Sequence, residues 1–125
     1  MAIIDVGGEG PVELSTAQTG NGDSTNIARR GIRDTTRQGA LVITSAVGAT
    51  PTVTINIQGS VDGVNWVNVP YSAENTFSAT WVVTAITITT AKTGFYVLQP
   101  GMGWRMLKLV YSANTNVTTT ADAYL

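Results

Sequence analysis

The 125 residues include no histidine and no cysteine, and they carry a net charge of −1 with only 12% charged side chains, about half the share of an ordinary soluble domain. A chain of this length suits one domain and buries roughly two-thirds of the surface its unfolded state exposes. Without cysteine there is no disulfide, thiolate nucleophile or cysteine–zinc site, and without histidine the commonest general base and metal ligand is missing.

Hydrophobic content is 43%, so the missing charges are replaced by Thr, Ser, Asn and Gly rather than by apolar residues. Such a surface does not repel copies of itself, and it reads as one made to lie against protein. The plainer alternative is a monomeric sandwich with Thr-rich strands. No window approaches the 18 or so consecutive apolar residues of a membrane span, and no membrane partner is expected. The first residues, Met1 to Asp5, lack the basic start and apolar run of a secretory signal. Synthesis in, and retention by, the cytoplasm of the producing cell follows as the expectation.

Residues 1–26 hold glycines at 7, 8, 10, 20 and 22, Pro11, and only acidic charges: Asp5, Glu9, Glu13 and Asp23. Gly-rich stretches lose much entropy on ordering, so this segment is expected to be an extended N-terminal arm, separable from the folded body. Ile3, Ile4, Val6, Val12 and Leu14 leave room for one or two short strands within it. Residues 27–38 then concentrate four of the seven basic side chains, Arg29, Arg30, Arg33 and Arg37, around Gly31. The expected division is an arm with an arginine-rich segment over 1–38 and a β-sandwich domain over 39–125.

From Gly39 onward the hydrophobic period is two. Strands are expected at Ala40–Ser45, Thr52–Gln58, Asn65–Val69, Ala79–Thr90, Phe95–Gln99, Trp104–Ser112 and Asn116–Leu125. Turn chemistry separates them: Gly48 with Pro51, Asp62-Gly63, Lys92-Thr93-Gly94, Pro100 to Gly103, and Asn114-Thr115-Asn116. About seven closely spaced strands and no amphipathic helix predict an all-β fold, an antiparallel β-sandwich or jelly roll.

Catalysis finds little support. Ser and Thr are abundant, but no histidine can activate them. Lys92 falls in an expected turn, and Lys108 reads as a solvated edge charge. The acids after the arm, Asp34, Asp62, Glu74 and Asp122, are scattered singly, so neither a glycosidase pair nor a calcium loop emerges. The expectation is a non-enzymatic chain with no cofactor and no metal site.

The arginine cluster has three readings: phosphate neutralisation, pairing with an acidic arm, or a solvated loop. A net acidic chain without a broad basic face argues against direct nucleic-acid binding. Protein–protein pairing leads, with Arg29, Arg30, Arg33, Arg37, Asp5, Glu9 and Glu13 as candidate interface residues. Trp66, Trp81 and Trp104 suit either a sugar-stacking platform or core packing, and core packing is favoured. Asn116-Val117-Thr118 fits a glycosylation sequon that a chain kept in the cytoplasm leaves unused.

The segment Gln58-Gly59-Ser60-Val61-Asp62-Gly63-Val64-Asn65-Trp66 resembles a hairpin found in small β-sandwich proteins of tailed-bacteriophage particles. Its local physics is legible: Asp62-Gly63 for a tight turn, Gly59 to relieve crowding, Trp66 to pack back over the sheet. Gly103-Trp104-Arg105-Met106-Leu107-Lys108-Leu109, followed by a Thr-rich last strand, is similar to the ending of those proteins. The resemblance covers roughly residues 40–125 and is closest to head decoration (cement) proteins. It implies a virion structural protein on the phage head surface, made in the host cytoplasm, that binds the major capsid protein and stabilises the shell. It also implies a homo-oligomer, often a trimer in such proteins. Similar hairpins occur in tail, neck and fibre components and in carbohydrate-binding adhesion modules, which stand as alternatives.

Overall fold

Two strands of unusual length organise the chain: Ala40–Ser60 and Met106–Tyr124, of 21 and 19 residues. The computed structural model describes residues 11–28, 39–77 and 80–124. In chain order the strands are β1 (Val12–Gln18), β2 (Gly22–Asp23), β3 (Ile27–Ala28), β4 (Ala40–Ser60), β5 (Trp66–Asn68), β6 (Tyr71–Ser72), β7 (Trp81–Val82), β8 (Ile86–Ile88), β9 (Lys92–Val97) and β10 (Met106–Tyr124). All pairings are antiparallel. The all-β antiparallel sandwich expected from the two-residue period is what the chain forms.

The sandwich is one sheet bent back on itself. β4 and β10 pair along their whole length, from Ser60 opposite Met106 to Ala40 opposite Tyr124, with register shifts between Ser112 and Val117. Each long strand is exposed at that middle stretch and alternates buried and outward residues on either side of it. One layer therefore has the order β1–β10–β4–β9. In the other, β10 is flanked by β2 and β3, and β4 by β5 and β8. Leu41, Ile43, Val117, Ala121 and Ala123 of the first layer share one core with Val53, Ile55, Ile57, Leu107, Leu109 and Tyr111 of the second.

The bend explains several differences from the sequence reading. Gly48 with Pro51 and Asn114 to Asn116 look like hairpin turns, but they lie opposite each other and form a shared corner through which pairing continues. Thr50, Ala113 and Asn116 take positive φ there (48°, 51° and 54°), a conformation in which the strands kink without ending. Asn116 Nδ2 donates to the Ala49 carbonyl at 2.6 Å, tying the two strands at the corner. Lys92-Thr93-Gly94, expected as a turn, starts β9 instead. Within Ala79–Thr90 the described strands are only Trp81–Val82 and Ile86–Ile88.

The N-terminal segment needs the largest revision. β1, β2 and β3 follow β10 antiparallel around the same corner: Val12 opposite Ala123, Gly22 opposite Tyr111, Ile27 opposite Leu107. Residues 12–28 are thus a third ply of the ribbon, not a separable arm. Ala17 at φ 50° and Gly22 at φ 129° turn this ply, and Asn21 accepts the Asn114 amide N–H at 2.9 Å. Glycines that suggest disorder in a sequence serve here as corner residues. Leu14 is 1% exposed, and the Ser15 and Tyr111 hydroxyls share a buried hydrogen bond of 2.5 Å between the two layers. Residues 1–10 and 29–38 lie outside the described residues.

Candidate interaction surface

The segment carrying the phage-like pattern forms a five-residue loop, Val61–Asn65, between β4 and β5. It is organised by one carboxylate rather than by a two-residue turn. Asp62 Oδ1 accepts the amide N–H groups of Val64 and Asn65, each at 2.8 Å, and the Ser60 hydroxyl at 3.1 Å. Oδ2 accepts the Asn65 side-chain amide at 2.7 Å. Ser60 Oγ accepts the Gly63 N–H at 2.8 Å, and Gly63 takes φ 78°. These donors, the two backbone N–H groups foremost, hold the Asp62 carboxyl well below the usual carboxylate range. Asp62 is a turn former, as its place before glycine suggests.

Gly59 has the close approach expected of it. A Cβ there would lie 2.7 Å from Val69 Cγ2 and 2.8 Å from Trp104 Cβ. That absent side chain lets Trp104 pack against the strand at 6% exposure. Between the loop, β5 and residues 102–104 runs an apolar groove of about 360 Å³, lined by Val67, Val69, Pro70, Met102 and Trp104 among others. Val61 and Val67, which line it, are 66% and 69% exposed, and Val64 in the loop is 78% exposed. Exposed apolar side chains gathered at one place mark interaction sites.

Both lysines are paired. Lys108 Nζ lies 2.8 Å from Asp23 and 4.3 Å from the Trp66 ring centroid, and its side chain is only 12% exposed. It is a paired cation laid over an aromatic face, not the solvated edge charge its outward position suggests. Lys92 pairs with Glu74 at 2.9 Å. Trp66 and Trp81 are half-buried. With Trp104 in the core and Lys108 over Trp66, the three tryptophans do not make an open stacking platform.

Of the candidate interface residues, only Glu13 falls within the described residues; Asp5, Glu9, Arg29, Arg30, Arg33 and Arg37 lie outside them. Glu13 is exposed on β1 and stands opposite Asp122 of β10, an unfavourable pairing of like charges. Ala28 and Gly39, which flank the arginine segment, sit at ends of the ribbon remote from its corner. Val61 and Val64 escaped the sequence reading because a loop was expected to be polar, and Val67 because it fell in an expected strand; the visible signal was valine on both sides of Asp62-Gly63. Among the described residues no group of three or more acidic side chains is placed to hold a metal. Among the described residues no helix is long and apolar enough to cross a membrane. Neither a scan against protein-family models nor a search of curated proteins finds a match to this chain.

Proposed function

We propose that the chain is a non-enzymatic structural protein of a tailed-phage particle, one that decorates the head and reinforces the shell through contacts with the major capsid protein. The observation that carries this reading is the 58–66 hairpin. The same residues that resemble phage sandwich proteins build a rigid loop and present two exposed valines, Val61 and Val64, with the exposed Val67 following on β5. A loop fixed by its own carboxylate loses little entropy on docking. The outward positions of β4 and β10 add Thr44, Thr54, Asn56, Gln58, Thr118 and Thr120, uncharged groups that form hydrogen bonds across an interface without stranding an ion.

The test is localisation on particles assembled in cells that make a tagged copy of the chain. Immunogold label spread over the head surface is the expected result. Label confined to the tail, neck or fibres would overturn the head assignment, and saturable glycan binding lost on Trp66→Ala would favour the adhesion alternative.

A further inference from the structure

β5 ends its sheet, and its outer edge is bare. Val67 stands opposite Gly59, Asn68 stands opposite Gln58, and the Val69 N–H donates to the Ile57 carbonyl at 2.9 Å. In an antiparallel ladder, residues bonded to the partner strand alternate with residues whose main-chain groups point away. Val67 and Val69 therefore face β4, and the N–H and C=O groups of Trp66 and Asn68 face outward. No described residue hydrogen-bonds to them. Two other edges are blunted. Asn75 covers β9, its N–H donating to the Phe95 carbonyl and its Oδ1 accepting the Phe95 N–H, both at 2.9 Å. β1 is broken by two register shifts. The register of β5 with β4 is unbroken.

The apolar groove lies beside this edge, with Val67, Val69 and Trp104 in its lining. A strand laid along β5 at about 4.8 Å turns alternate side chains toward the face that Val67 occupies. One charge marks the same place. Arg105 directly follows Trp104, and its N–H donates to the Ser60 carbonyl at 2.8 Å, at the base of the Val61–Asn65 loop. Its side chain is exposed and, unlike those of Lys92 and Lys108, makes no ion pair. The carboxylate of Asp62 already accepts four hydrogen bonds within the loop. The charge left to be met is thus positive, and its complement is a carboxylate.

We propose that the β5 edge binds an extended segment of a partner protein by strand addition. The segment bonds through its main chain to Trp66 and Asn68, places an apolar side chain in the groove and sets a carboxylate against Arg105. Main-chain bonds supply affinity in this mode, and the groove and the cation select the sequence. The segment's source rests on the decoration reading, which makes it part of the shell protein; the mode of binding rests on the edge itself.

The test is titration of the full chain with a short synthetic peptide that alternates valine and threonine and carries one aspartate, followed by amide NMR. Saturable binding is expected, with the Trp66 and Asn68 amides among those that shift most. Methylating the peptide's backbone nitrogens should abolish it. Arg105→Glu should weaken binding at least about tenfold and should prefer a peptide with lysine in place of the aspartate, a reversal that loss of folding does not produce. Its melting temperature should match the wild type because the side chain is exposed. No saturable binding, equal binding of the methylated peptide, or indifference to Arg105→Glu would each overturn the proposal. Co-sedimentation with capsids separates it from the decoration reading. Wild-type binding to capsids that Arg105→Glu leaves unchanged overturns the strand addition alone, and peptide binding without capsid binding overturns the decoration reading alone.

Discussion

Asp62 illustrates how a single side chain makes a surface usable. Its carboxylate replaces backbone pairing inside the loop, so the valines beside it are held outward. Because the folded state depresses the Asp62 pKa, its stabilisation is fully present above the unfolded carboxylate value of about 4 and is lost as the pH falls toward the folded value. Asp62→Asn should therefore lower the melting temperature at pH 7 and flatten its decline between about pH 5 and pH 2; thermal melts across that range check this. Gly59→Ala places a methyl group against Val69 and Trp104 and should cost about 1–3 kcal/mol in denaturant unfolding. Thr119 offers a contrast. It is fully buried, and its hydroxyl has no hydrogen-bond partner among the described residues. Thr119→Val keeps the shape and removes that hydroxyl, so it should raise stability by about 1 kcal/mol.

At the level of elements, the three-ply corner determines what can be removed. Deleting residues 1–26 would take β1 and β2 from the sheet, and with them Leu14 and the Ser15–Tyr111 bond, so the truncated chain should lose its cooperative melt. Leu14→Ala alone should cost about 2–5 kcal/mol. Circular dichroism melts of the two variants check these outcomes. The strand character of 39–125 was legible because alternation at Val53, Ile55 and Ile57 or Leu107, Leu109 and Tyr111 reports burial directly. The corner was not, because a residue such as Gly48 or Asn116 has the same local chemistry whether the chain reverses or only bends. Continuity is decided by pairing between β4 and β10, positions far apart in sequence. The role of 12–28 was hidden for the same reason: its glycines have meaning only once β10 lies alongside.

For the whole molecule, low charge and Thr-rich outer strands are expressed, among the described residues, as a body with two ion pairs, Lys92–Glu74 and Lys108–Asp23, and exposed apolar side chains at and beside one loop. Asp62 as a turn former and the close approach at Gly59 were readable from the hairpin pattern; the five-residue length of the loop was not, nor was the groove, since Val69, Pro70, Met102 and Trp104 meet only after folding. The decoration reading joins these surfaces to the phage-like hairpin, and its most direct test is the number of copies bound per particle. Purified chain should co-sediment with capsids and saturate at a copy number comparable to that of the shell protein, and Val64→Asp should reduce binding without changing the melt. Saturation at a handful of copies, or no co-sedimentation with intact heads, would contradict the account.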